Sequence, residues 1–347
     1  MKIRRTNVTA FDVARLAGVS QSAVSRAFTP GAAVAETTRT RILDAAKKLG
    51  YRPNAIARSL ITNRSRIIGV VVSYFDNQFY PFVLELLSRE LRTHGYHLLL
   101  FCTQSEDADN LMLEILQYQV DGIVMASTTF SSPLARSCSE AGIPVVLFNR
   151  TARNSPSSTV ASDNVEGGRL AAELLCAGKH KRMAFIAGLE DTSTSRDREF
   201  GFLQGLAAHE RSCYARTVGN YDVEGAVQAA LEMFARRSAP DAVFVANDHM
   251  AFAVMDTLRQ RLKLRIPEDV SVIGFDDVPQ AAWGSYDLTT VRQPAQSMIT
   301  ATVALLIRQI GDRQAPPENV VLPVELVMRG TSRAPKVRRR RRPAHVD

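Results

Sequence analysis

The stretch Thr9–Phe28, TAFDVARLAGVSQSAVSRAF, leaves this chain few ways to begin folding. Thr9 and Asp12 stand three apart, the spacing of a capping box with Asp in place of the usual Glu or Gln. Val13, Leu16 and Ala17 then recur at helical spacing and predict one apolar face. Gly18 predicts the end of that helix, because a turn through positive φ is easy without a Cβ. Ser20 is placed to cap a second helix, Gln21 to Phe28, with Ala23, Val24 and Ala27 facing inward. Ala14, Gly18 and Val24 supply the small residue, the turn and the packing residue that a helix-turn-helix needs. A helical hairpin in any all-α domain meets the same pattern. This stretch alone leaves DNA binding and a purely structural role both open.

The sequence that follows narrows the choice. A third helix is expected from Glu36 to Leu49, with Ile42, Leu43, Ala46 and Leu49 covering the first two and Gly50 ending it. Ala35 precedes it without a capping side chain. The chain then reads YRPNAIARSL from Tyr51 to Leu60. The DVARLAGVS-QSAVSR and PNAIARSL strings, at this separation, resemble the LacI/GalR family of bacterial repressors, and the likeness extends over nearly the whole length.

That resemblance implies a helix-turn-helix headpiece over 1–50, a hinge helix over 51–62, and a two-lobed effector-binding and dimerisation core over 63–332, followed by a basic tail, 333–347. The start of the second helix is expected in the major groove, with Gln21, Ser22 and Arg26 reading bases. Arg suits guanine and Gln suits adenine. Ser20 and Ser25 suit phosphate contacts, although a solvated helix face explains Ser22 and Ser25 equally well. Asn54, Arg58 and Leu60 belong to the implied hinge, with Leu60 as an apolar wedge in the minor groove; a leucine packed in a fourth headpiece helix is the alternative.

Charge is distributed unevenly. Residues 1–66 carry 13 Lys+Arg against 3 Asp+Glu, and residues 331–347 carry 7 against 1. The middle of the chain holds the remaining 23 basic and 31 acidic residues, so the net +8 hides an acidic core between two basic ends. Positive charge gathered on one small module is the footprint of a phosphate binder. The five arginines Arg338–Arg342 cannot pack, and either add DNA affinity or form a solvated end. The tail lacks a leucine heptad repeat, so a homodimer is expected. The N-terminus has no apolar signal region and no run is long enough to span a bilayer, which points to a cytoplasmic protein with no membrane partner. Cys102, Cys138, Cys176 and Cys213 are scattered, without a C-x-x-C pair, and read as buried free thiols in place of metal ligands or disulfides.

From Ile67 the pattern changes to alternating strand and helix. IIGVVVS is a continuous apolar run, the mark of a strand buried on both faces, and HLLLFC, DGIVMAS and IPVVLFN continue the alternation, with helices at Phe79–Thr93, near 107–118 and at Leu134–Ala141 between them. A second set follows: GGRLAAELLCAG, RMAFIAG, a helix from about Arg198, CYARTVGN, AVQAALEMFA, DAVFVAND, MAFAVMDTLRQ and VSVIGFDD. The fold expected is an α/β core of two doubly wound parallel-sheet subdomains, periplasmic-binding-protein-like, behind an all-α headpiece. The resemblance adds three chain crossings between the subdomains, one near Val291–Pro294.

Ligands of such sheets bind at the C-terminal ends of strands. Ser73, Asn149, Asp163, Asn247, Asp248 and Asp276 are expected there, with Arg198 at a helix start. RDREFGF, VANDHMA and GFDD match the family, which places Arg198, Asn247, Asp248 and Asp276 at effector-binding positions. Carboxylate, amide and guanidinium groups suit vicinal hydroxyls, since each offers two hydrogen bonds. Phe79, Tyr221 and Trp283 offer an apolar wall, and His249 either tunes ligand choice or only lines the cleft. His94-x-x-His97 lacks further ligands and reads as structural, so neither a metal nor a cofactor is expected.

Three functions compete. A ligand-responsive, sequence-specific regulator, repression being its favoured sense, would bind a pseudo-palindromic operator and a small effector such as a sugar or sugar derivative. A periplasmic sugar-binding protein would share the core but need a signal peptide and no headpiece. An α/β enzyme would need a phosphate loop, a dinucleotide fingerprint or a nucleophile elbow, and none is present. Only the first explains both ends of the chain.

Overall fold

The computed structural model describes residues 8–29, 31–52, 64–73, 75–102, 108–126, 137, 138, 140–151 and 157–333. Asn54, Arg58 and Leu60, with nearly all of the expected hinge helix, lie outside the described residues, as do Arg338–Arg342 and half of the helix expected at Leu134–Ala141. The chain divides into two compact units, Met1–Ser65 and Arg66–Asp347.

The first unit is a three-helix cluster: α1 (Ala10–Ala17), α2 (Gln21–Ala27) and α3 (Glu36–Leu49). The expected capping box is present. Thr9 accepts from the Asp12 amide while the Asp12 carboxylate accepts from the Thr9 amide at 3.0 Å, and that backbone bond holds the Asp12 carboxyl below its ordinary range. Gly18 turns at φ +64°. Ser20 caps α2 by accepting from the Ala23 amide. Ala35 gives α3 no cap, but Arg39 ties this helix to the preceding segment by donating to the carbonyls of Ala27 at 2.6 Å and Ala32 at 2.9 Å.

The core of this unit is Val13, Ala14, Ala17, Val24, Ala27, Ile42, Ala45 and Ala46. Two expected core residues are corrected: Leu16 is 52% exposed and Leu43 43% exposed. Small side chains face inward in their place, which lets short helices pack closely.

The second unit holds two six-stranded sheets. The first lobe contains β1 (Ile67–Val72), β2 (His97–Cys102), β3 (Gly122–Ala126), β4 (Val145–Phe148), β5 (Ser158–Ser162) and β11 (Asn319–Leu322), ordered β11-β5-β4-β3-β1-β2 with every neighbouring pair parallel. The second contains β6 (Met183–Ala187), β7 (Ala215–Val218), β8 (Ala242–Val245), β9 (Ser271–Asp276), β10 (Thr289–Arg292) and β12 (Glu325–Val327), ordered β12-β10-β9-β8-β6-β7, with only β12 antiparallel. The chain crosses between the sheets after Ser162, after Arg292 and after Leu322.

Helices α4 (Phe79–Thr93), α5 (Ala108–Gln117) and α10 (Ala295–Gly311) belong to the first lobe, and α6 (Asn164–Ala177), α7 (Ser193–Ala208), α8 (Val223–Phe234) and α9 (Asp248–Asp256) to the second. One interface places a key side chain. A Cβ on Gly168 would lie 2.1 Å from the Arg198 carbonyl oxygen, and one on Gly201 would lie 1.9 Å from that of Val165. The backbones of α6 and α7 therefore touch, and Arg198 is carried on the helix they fix. That helix starts at Ser193, capped by Thr192, so Arg198 sits in its second turn and not at its start as expected. Strand β5, STVAS, was not expected; it is too polar to read as a buried strand.

Candidate functional site

In the first unit, Ser20, Gln21, Ser22, Ser25 and Arg26 are all exposed along one end of the helical hairpin. Ser20 is already engaged, capping α2 and sharing a 2.9 Å hydrogen bond with the Ser22 hydroxyl. Arg26 has no ion-pair partner among the described residues. A helix with an exposed amide and hydroxyl in its first turn and an exposed guanidinium in its last, held by a buried inner face, can present donors and acceptors to a polar surface.

In the second unit, the strand ends of both lobes face a cavity with about 360 Å³ of empty space, open to solvent on one side. Of the residues expected from sequence, Asn149, Arg198, Tyr221, Asn247 and Asp276 line it; Asn77, Tyr80, Arg150 and Thr194 line it as well and were not anticipated. Asn77 and Tyr80 sit at the start of α4, and Arg150 directly follows Asn149. Their signal was present only as polar or aromatic residues next to strand ends.

The other expected residues are placed elsewhere. Phe79 is buried in the core, stacked on Phe148 at 6.4 Å. Asp163 caps α6 by accepting from the Glu166 amide at 2.9 Å. Asp248 is fully buried and accepts from the Thr290 hydroxyl at 2.6 Å and the Val278 amide at 3.0 Å. Ser73 and Trp283 are not among the lining residues, and Trp283 is 56% exposed. The His94 ring bonds locally to Thr93 and the Glu90 carbonyl. No group of three or more His, Cys, Asp or Glu among the described residues could hold a metal ion.

Arg198 organises the second-lobe wall. It donates to Asn164 Oδ1 at 2.8 Å and to the Ala246 carbonyl at 2.5 Å, and its guanidinium lies 3.6 Å from the centroid of the Phe275 ring. Asp276 accepts from Gln293 Nε2 at 2.7 Å, and Gln293 in turn accepts from the Ser162 hydroxyl, so the chain's first two lobe crossings are bonded to the cavity wall. Burial raises the Asp276 carboxyl above its ordinary range, against the opposing pull of Arg198 and then Gln293. Burial also raises Asp248, reinforced by the charge of Asp276.

Asp276 and Asn149 both adopt positive φ, +129° and +57°. Such backbone strain in non-glycine residues concentrates where a side chain must be aimed. Three lining groups carry buried polar atoms without partners: Asn149 Oδ1, Asn247 Nδ2 and Arg150 Nε. An acceptor, an amide donor and a guanidinium donor converging on one cavity match a ligand with several hydroxyls, which both donate and accept.

The lobes are bonded to each other beside the cavity. Arg150 donates to the Thr194 hydroxyl at 3.0 Å, and the Thr151 amide donates to the Ser193 hydroxyl at 3.1 Å. Thr194 also shares a 3.2 Å bond with the Tyr221 hydroxyl.

Residues 9–54 match the model of bacterial regulatory proteins of the lacI family, and residues 171–332 match a periplasmic binding protein-like domain. The ribose operon repressor of Bacillus subtilis (strain 168) is 34% identical over 93% of this chain and 98% of its own. Two solved structures are similar throughout. A transcriptional regulator CelR–cellobiose complex is 31% identical, with TM-score 0.72, over 94% of this chain and all of that one. The Lac repressor dimer bound to operator and the anti-inducer ONPF is 26% identical, with TM-score 0.84, over 95% of this chain and all of that one. No helix among the described residues is long and apolar enough to cross a membrane.

Proposed function

Because the chain belongs to the lacI family of bacterial regulatory proteins, we propose that it is a cytoplasmic repressor that binds a pseudo-palindromic operator as a homodimer and releases or tightens its hold when a small sugar enters the core cleft. It is a transcriptional regulator and not an enzyme, as its relatives are. Gln21, Ser22 and Arg26 take the base-reading roles, with Ser20 and Ser25 on phosphates. Residues 51–62 form the hinge between the headpiece, 1–50, and the core, 63–332, with Asn54, Arg58 and Leu60 on DNA.

The observation that carries the ligand reading is the set of unpartnered Asn149, Asn247 and Arg150 atoms around the cavity. Each buried polar group left unmade costs about 1–3 kcal/mol, which ligand hydroxyls would recover. The CelR complex holds cellobiose and the B. subtilis relative governs a ribose operon, so sugars are the class to test first.

A thermal-shift screen of the full-length chain against monosaccharides, disaccharides, sugar acids and nucleobases tests this reading. A sugar should raise Tm in a concentration-dependent way, and Asp276→Asn should remove the shift. Stabilisation by nucleobases alone would replace the sugar with a flat heterocycle; a shift unchanged in Asp276→Asn would move the site elsewhere.

A further inference from the structure

We propose that Gln78 and His249 form a latch that draws the two lobes together across the cleft. His249 Nδ1 lies 3.0 Å from Gln78 Oε1, although the residues are 171 positions apart. Gln78 immediately precedes α4 in the first lobe, and His249 stands in the first turn of α9 in the second. Their neighbours Asn77 and Asn247 line the cavity, whereas neither latch residue does. The pair therefore fixes the spacing of the walls without occupying ligand space. It joins the Arg150–Thr194 and Thr151–Ser193 bonds, which also link the lobes beside the cavity.

The latch depends on protonation. The Gln78 oxygen can only accept, so the bond needs a proton on Nδ1, and in the neutral ring this leaves Nε2 bare. Burial lowers the His249 pKa, opposed by the charges of Asp76, which follows β1 in the first lobe, and Asp222, which caps α8 in the second. Opening the cleft returns the imidazole to water, so the closed form holds an added proton less tightly than the open one. The ring's contribution to closure is then fully present above the ordinary imidazole value of 6.5 and weakens as pH falls through the lowered one, although a protonated ring still donates from Nδ1. The consequence for a ligand rests on the effector reading of the cleft: it would enter walls already drawn near their final spacing, and less ordering would remain to be done on binding.

The test uses the full-length chain with no ligand, so its failure and the failure of the sugar reading are distinguishable. In nitrogen-15 spectra of the six histidines, His249, assigned through His249→Asn, should be protonated on Nδ1 when neutral and titrate below 6.5. Gln78→Leu should shift the proton to Nε2 and raise the titration. Hydrogen exchange at the Thr151 amide, which bonds across the cleft, should quicken about 3- to 10-fold in Gln78→Leu and in His249→Leu, and no further in the double variant. His249→Asn keeps a donor near the Nδ1 position, so the protection of Thr151 against exchange, relative to a free amide at the same pH, should stay at the wild-type level above 6.5 and should not fall at lower pH. An ordinary titration with the proton on Nε2, unchanged Thr151 exchange in Gln78→Leu, or single effects that multiply in the double variant would each overturn the latch.

Discussion

Arg198 Nη1 and Asp276 Oδ1 lie 3.5 Å apart, with only 2% and 3% of their side chains exposed. With so little exposure, each charge depends on the other and on fixed partners: Asn164, Ala246 and Phe275 around the guanidinium, Gln293 on the carboxylate. Removing one member of such a pair strands the other, which costs more than the pair itself contributes.

Arg198→Met should therefore lower the stability of the core by about 3 kcal/mol, part of the loss being relieved by protonation of Asp276. Urea unfolding followed by far-ultraviolet circular dichroism checks this. A loss under about 1 kcal/mol would mean that the pair is solvated and the cavity wall looser than its geometry indicates.

Asp248 and Asp276 both titrate above the ordinary carboxylate value of 3.8. A carboxyl whose pKa is higher folded than unfolded favours the folded state below the unfolded value, and that contribution is lost as pH rises through the folded value. Core stability should thus fall as pH rises from about 4 towards neutrality. Asp248→Asn, which can still pair with Thr290 and Val278 but cannot ionise, should flatten that slope and leave the fold intact. The same urea titrations at a series of pH values give the answer, and an unchanged slope would assign the dependence to Asp276 alone.

The strands that read clearly in the sequence were those buried on both faces, because IIGVVV and VSVIGF admit no other environment. Strand β5 was missed because STVAS fills a buried position with hydroxyls, and Ser158 and Ser162 are satisfied there by Gln309 and Gln293 from distant segments. Leu16 and Leu43 were placed inside by size and periodicity, yet Ala14 and Ala45 face the headpiece core because close helix packing selects small residues. At the cavity, Arg198, Asn247 and Asp276 were found through local strings. Arg150 and Thr194 become neighbours only when the lobes meet, and no local pattern records that.

In the headpiece, Arg26 is exposed on α2 without an ion pair among the described residues, so its loss should affect binding and not folding. Arg26→Ala should weaken binding to a specific operator by about 1–3 kcal/mol and binding to random DNA far less. Gel-shift titrations on both DNAs at fixed salt separate the cases. Equal losses on both would make Arg26 a phosphate contact.

Coupling between the cleft and DNA is the centre of the account, and operator affinity with and without ligand measures it most directly. The DNA is a site the protein selects from a random library, and the ligand is the sugar that gives the largest thermal shift. Saturating sugar should change wild-type operator affinity by about 5- to 150-fold, the usual range of coupling between two sites. Asp276→Asn should bind the operator as the wild type does without sugar and show no change at the same sugar concentration. A mutant that responds as fully as the wild type would contradict the placement of the effector at Asp276, and a wild type whose affinity does not move would contradict the coupling itself.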